Sequence, residues 1–190
     1  MTTRAETAAA TRVALIDAAR VLLDLGGPDA VTLREVGARA GVSRSAPYRH
    51  FRDKESLLTL LATESWDAVG DSVQNLAADP TLAPADALRG ALLALVSVGR
   101  SHPHLYRLMF TTPSGDPTAV VRAAGRTQDL FLSIVARVVG KKASLRYGAL
   151  LLTSAHGIIG LELSGHLVWD KWHATAEELI DELIALLPTA

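Results

Sequence analysis

Gly41 separates two short patterned segments, and it limits what this part of the chain can fold into. Upstream, residues 32–40 read Thr-Leu-Arg-Glu-Val-Gly-Ala-Arg-Ala. Thr32 lies three residues before Glu35, the spacing of a capping box in which each side chain takes a backbone N–H of the other residue. Leu33, Val36, Gly37 and Ala40 then share one narrow apolar face at helical spacing. Downstream, Val42 can plug a corner. Ser43 can cap a second helix, Arg-Ser-Ala-Pro-Tyr-Arg-His-Phe, ending at Phe51. Glycine takes left-handed backbone at no steric cost, so Gly41 is where the first helix stops and the chain turns. Two helices about a short glycine turn form a helix-turn-helix, whose second helix enters the DNA major groove.

The residues Thr32-Leu33, Val36-Gly37, Ala40-Gly41-Val42-Ser43 and Tyr48-Arg49-His50-Phe51, followed by Asp53-Lys54-Glu55-Ser56-Leu57-Leu58, closely resemble the DNA-binding domain of TetR-family transcriptional regulators. The resemblance runs from about Thr11 to Trp66, and its Tyr-x-His-Phe ending before Lys-Glu is more specific than a generic helix-turn-helix. It implies a double-stranded DNA partner with a palindromic operator, a homodimer and a small-molecule effector. The function implied is that of a repressor released from its operator by a small, largely apolar ligand. The alternative is an architectural or partner-controlled DNA-binding protein that takes no ligand.

A reading helix needs small residues where backbones approach, and hydrogen-bonding side chains where bases and phosphates lie. Ser43, Ser45 and Ala46 let this helix sit deep in the groove. Arg44 can reach a guanine edge or a phosphate. Tyr48 offers its ring to a thymine methyl and its hydroxyl to a phosphate, and His50 is a phosphate candidate. Pro47 replaces the usual large apolar residue, stiffens the first turn and is expected with these among the DNA-contacting residues. The resemblance adds Thr32 and Lys54 as backbone contacts. Arg49 can point at DNA or at the first helix. Phe51, Val36 and Leu33 are expected in the core.

The rest of the chain reads as helix almost throughout. The first helix is expected from about Ala8 to Leu25, with Leu15, Ala18, Leu22 and Leu25 on one stripe, ended by Gly26-Gly27-Pro28. Asp53 can cap a long fourth helix from Lys54 to about Ala78. Pro80 and Pro84 bracket a linker, and a fifth helix covers Ala85 to Ser101 around Leu88, Leu92, Leu95 and Val96. A sixth, Pro103 to Phe110, has proline in its first turn. Thr112-Pro113-Ser114-Gly115 reads as a loop. A seventh helix follows from Asp116-Pro117 to Val139, an eighth from Ala143 to about Leu167, and a ninth from Thr175, where Thr175 and Glu178 form another capping box, to Pro188. The expected fold is all-α with about nine helices. Residues 8–53 form a three-helix DNA-binding domain, with its helix-turn-helix at 32–51. The helix 54–78 links it to a ligand-binding and dimerisation domain, 79–190.

Composition removes several alternatives. The chain has no cysteine, which excludes disulfides, zinc–thiolate sites and thiol redox sensing and fits a reducing cytoplasm. Residues 1–55 hold nine Lys and Arg against seven Asp and Glu, and residues 56–190 hold ten against thirteen, so the modest basic excess lies with the helix-turn-helix. Met1–Thr7 contains no apolar signal core. Leu145–Val168, the most apolar long stretch, is interrupted by His156, Glu162 and His166 and is expected to be a buried helix, not a membrane span. An enzyme is disfavoured. His102 and His104 are two residues apart, so a helix splays them, and the chain has no His-Glu-x-x-His, glycine-rich phosphate loop or serine nucleophile motif. No catalytic residue, metal or cofactor is expected.

The C-terminal part carries polar residues on otherwise apolar helices. His102, Tyr106, Phe110, Gln128, His156 and Glu162 are the candidates to line a mostly apolar ligand pocket. The segment His102 to Phe110 resembles one common in a TetR subgroup. His156-Gly157, with Leu161-Glu162-Leu163 after it, is similar to that subgroup's C-terminal domain, which carries Trp-His-Gly. Ala155 stands where the tryptophan would be, implying a larger or differently shaped pocket. The eighth helix is rich in small residues, and glycine costs about 1 kcal/mol in a helix interior relative to alanine, so close approach of another helix is the natural compensation. Gly157, Gly160, Leu161 and Ser164, with Leu179, Leu183 and Leu186 of the ninth helix, are the expected dimer interface, two helices from each subunit.

Overall fold

In the computed structural model, the described residues, 3–111 and 115–188, contain helices and no strand. The nine expected helices are present: α1 Arg4–Ala30, α2 Leu33–Arg39, α3 Pro47–His50, α4 Lys54–Ala78, α5 Pro84–Ser101, α6 Pro103–Met109, α7 Thr118–Val139, α8 Ser144–Leu163 and, as the ninth expected, α10 Ala176–Ala185. A further single turn, α9 Trp169–Trp172, precedes the last of these. Apart from Gly115, the loop expected at Thr112-Pro113-Ser114-Gly115 lies outside the described residues. No helix among the described residues is long and apolar enough to cross a membrane.

Two compact units form, Met1–Ser65 with His104–Val121, and Trp66–Pro103 with Arg122–Ala190. The first unit is thus discontinuous in sequence. The reason is Leu105 of α6, which is buried in the same apolar cluster as Leu15, Leu23, Val36, Leu57 and Leu61. Burying a leucine contributes roughly 1.5–3 kcal/mol, enough to hold a short helix on that core.

In the first unit, Thr3 and Glu6 form a capping box at the start of α1. The inward face of α1 is Leu15, Ile16, Ala18, Ala19 and Leu23. Leu25, expected on the apolar stripe, is instead 73% exposed. It comes just before a kink at Gly26 and Gly27, where Gly27 takes φ 69°. Thr32 caps α2 by accepting from the Glu35 N–H at 3.1 Å. The reciprocal half of that capping box is missing, because the Glu35 carboxylate pairs with Arg34. Gly41 takes φ 66°, as the turn requires. Ser43 does not cap α3: its carbonyl accepts from Ala46 N–H at 2.9 Å, and the helix starts only at Pro47, with no side-chain cap. Asp53 does cap α4, its carboxylate accepting from the Ser56 N–H at 2.7 Å. That bond, followed by one from Arg52, holds the Asp53 carboxyl below the usual range.

In the second unit, α5 buries Leu88, Leu92, Leu95 and Val96, as the periodicity predicts, and α8 and α10 pack against it. The buried Thr127 hydroxyl donates to the Trp66 carbonyl at 2.9 Å, linking α7 to the second half of α4. Arg100 of α5 bridges Glu162 of α8 and Glu177 of α10. The second capping box forms in full, with Thr175 and Glu178 each satisfying the other's N–H.

Candidate nucleic-acid interface

The helix-turn-helix is assembled by close contact of its two helices. Gly37 of α2 is buried, and a Cβ placed on it would lie 2.7 Å from Pro47 Cγ. Pro47 is itself buried and faces α2. Its side chain is therefore turned away from the surface, which corrects its inclusion among DNA-facing residues. It supports the reading surface from behind.

The remaining candidates lie on or beside the outer face. Ser43, Arg44 and Ser45 are exposed, Tyr48 is 61% exposed, and Ala46 and His50 are half-buried. Thr32 is exposed with its hydroxyl already capping α2. Lys54 is half-buried, and its nearest acid, Asp29, stands 3.9 Å away, at the outer limit of an ion pair. Arg49 is exposed in the last turn of α3. From α1, the Arg12 guanidinium lies 5.6 Å from the centroid of the Phe51 ring. Arg39, exposed in the last turn of α2, has the same character. No apolar period or turn signal singles out such a residue, so the sequence passes over it.

These side chains offer donors in several directions around a short helix whose backbone is close to the surface. A guanidinium can bind a guanine edge bidentately, and hydroxyls, an imidazole and an ammonium can reach phosphates.

The six pocket candidates divide between the two units. Tyr106 and Phe110 belong to the first unit, where Tyr106 is buried with its ring centroid 5.0 Å from that of Phe110. Burial pushes the Tyr106 hydroxyl up. His102 and His156, in the second unit, are exposed. The Glu162 carboxylate is taken up by Arg100. Gln128 reaches a cavity of about 20 Å³ among Trp66, Val73, Leu95, Thr127 and Phe131, and a shallower groove of about 220 Å³ beside Leu132, Leu145 and Gly148. Ala155 is fully buried and lines neither of these two.

Most of the residues expected to form the dimer interface are exposed in the second unit. Helix α8, expected to be buried, is covered on one side only. A Cβ on Gly157 or Gly160 would meet nothing within 4 Å. Leu161 is 48% exposed, Leu186 78%, Ser164 is exposed, and Leu179 and Leu183 are half-buried.

The chain matches two family descriptions, "Bacterial regulatory proteins, tetR family" over residues 15–61 and "Tetracyclin repressor-like, C-terminal domain" over residues 88–187. Among curated proteins no sequence matches it. Among solved structures it is similar to a protein of unknown function from Rhodococcus sp. RHA1, with 27% identity, a TM-score of 0.79 and 93% and 95% of the two chains covered. It is also similar to a TetR-family transcriptional regulator from Streptomyces coelicolor, with 23% identity, a TM-score of 0.65 and 95% and 94% covered. A third is SmeT in complex with triclosan, with 21% identity, a TM-score of 0.65 and 93% and 90% covered.

Proposed function

The chain belongs to the TetR family of bacterial regulatory proteins, and from that premise we propose that it is a sequence-specific repressor that binds a palindromic operator as a homodimer in the cytoplasm. The observation that carries this reading is the outward cluster of Arg44, Ser45 and Tyr48 on a helix braced from behind by Pro47 and Gly37. Arg44 takes a guanine edge and Tyr48 a thymine methyl, while Thr32, His50 and Lys54 fix register on phosphates. Two such heads must meet successive major grooves about 34–36 Å apart, which a single chain cannot do. The open faces of α8 and α10 supply the self-complementary surface for pairing.

A small, largely apolar effector held in the second unit relieves repression in this reading. Helix α4 contributes to both units, so one continuous helix joins the effector's surroundings to Lys54. A coupling of about 1–3 kcal/mol would change DNA affinity roughly 5–150-fold. The complex of SmeT with triclosan is a precedent within the shared fold. The small cavity beside Gln128 favours a second reading, in which a partner protein or nothing at all controls DNA binding.

Selection from a random duplex pool tests the main reading. An enriched two-fold symmetric site supports it, and recovery of unselected sequence refutes it. An apolar compound set then separates the two modes of control, since the effector reading requires a compound that both stabilises the protein and releases the selected duplex.

A further inference from the structure

Within the first unit, a cleft of about 370 Å³ opens between the kinked end of α1, the start of α4 and α6. This is in the range of small-molecule sites, roughly 300–1,000 Å³. Pro28, Leu58, Ala62 and Leu108 give it an apolar floor. Thr59 and Thr111 add hydroxyls, and Lys54, His104, Arg107, Asp29 and Glu55 complete the lining.

The walls are fixed relative to one another. Leu58 of α4 and Leu105 of α6 are buried in one apolar cluster with Leu15 and Leu23 of α1. At the kink, α6 meets backbone with no side chain in the way, because a Cβ on Gly27 would lie 2.9 Å from His104 Nδ1. A cleft held this way loses little freedom when filled.

The charges define the occupant. Lys54 is only loosely engaged by Asp29, which is itself fully exposed. Glu55 lies in the first turn of α4, where the helix dipole favours a carboxylate. Arg107 is exposed and has no ion-pair partner among the described residues, so its guanidinium is available for a bidentate carboxylate. Two cations against two lining carboxylates repel a multiply charged anion, whereas a single carboxylate on an apolar body meets both the guanidinium and the floor.

We propose that this cleft binds a small monocarboxylate with an apolar body, its carboxylate on Arg107 and its body on Pro28, Leu58, Ala62 and Leu108. The site lies in the first unit, whereas the effector of the proposed function is held in the second. Because Lys54 lines the same cleft, an occupant beside it hinders the phosphate contact proposed for Lys54 and weakens DNA binding. That consequence rests on the regulator reading, and the binding itself does not.

Isothermal titration of the full chain with octanoate, using octanol as the uncharged counterpart, tests the site. Octanoate is expected to bind once per chain, with octanol at least about tenfold weaker. Arg107→Ala is expected to weaken octanoate by at least about tenfold while leaving the ligand-free thermal midpoint and duplex binding unchanged. Thr59→Trp, which fills the cleft from its side wall, should block octanoate as well. No octanoate binding, equal binding of octanol, or binding indifferent to both substitutions would overturn the site. Octanoate bound without loss of duplex affinity would overturn the link to Lys54. A chain that binds octanoate but selects no duplex would sink the regulator reading and leave the site standing.

Discussion

Gly37 and Pro47 pack so closely that a Cβ on Gly37 would lie 2.7 Å from Pro47 Cγ and 3.3 Å from Pro47 Cδ. The proline ring has no flexible end to move aside, so this contact sets the distance between α2 and α3. Gly37→Ala gains helix propensity of up to about 1 kcal/mol, but overpacking at a rigid contact costs about 1–3 kcal/mol. The expected outcome is a net loss of stability and of duplex affinity, both recovered in the Gly37→Ala/Pro47→Ala double variant. Urea denaturation of the four forms measures the coupling. Additive effects would show that the two residues do not brace each other.

Tyr48→Ala and Lys54→Ala should fail differently. Tyr48 is 61% exposed, so its loss leaves the fold intact and removes preference for the selected duplex. Lys54→Ala should weaken binding to all sequences alike and reduce the slope of log K against log salt by about one. Anisotropy titrations of cognate and scrambled duplexes across a salt series check both. A dimer lost in Tyr48→Ala would mean that its side chain serves the fold.

Gly160→Glu tests the pairing face. A Cβ there meets nothing within 4 Å in the same chain, so the monomer tolerates the change and gains helix propensity. A carboxylate opposed to its own symmetry mate should leave a helical monomer with little duplex affinity. Sedimentation velocity and circular dichroism read the two properties separately. A dimer unchanged by this substitution would place the interface elsewhere.

Acid should loosen the second unit through Arg100. Its guanidinium, hydrogen-bonded to Glu177, holds that carboxyl down at about 2, against 4.5 ordinarily. A carboxyl depressed on folding adds stability that is complete above its unfolded pKa and is lost as pH falls through the folded one. The thermal midpoint should therefore drop between pH 4.5 and about 2. Glu177→Gln should start lower at neutral pH and show a smaller drop across that window. Partial exposure keeps the contribution modest. Parallel curves for the two proteins would remove Glu177 from the acid response.

Local chemistry explains how much of this was legible. The Thr32 and Asp53 caps, the Gly41 turn and the 54–78 helix each depend on residues within a few positions, and each is found as expected. Leu25 and Pro47 were misjudged because their surroundings depend on the Gly27 kink and on Gly37, which periodicity does not register. The placement of α6 depends on Leu105 reaching a core formed far earlier in the chain, so linker composition does not show which compact unit α6 joins. The pocket candidates were grouped by residue type along the sequence, and type alone does not reveal that Glu162 is held by Arg100.

Hydroxyl-radical footprinting of the selected duplex tests the central claim most directly. The account predicts two protected patches with centres one helical turn apart, about 34–36 Å, on a two-fold symmetric site, both absent with Tyr48→Ala. Uniform protection regardless of sequence, or a footprint that survives Tyr48→Ala unchanged, would contradict it.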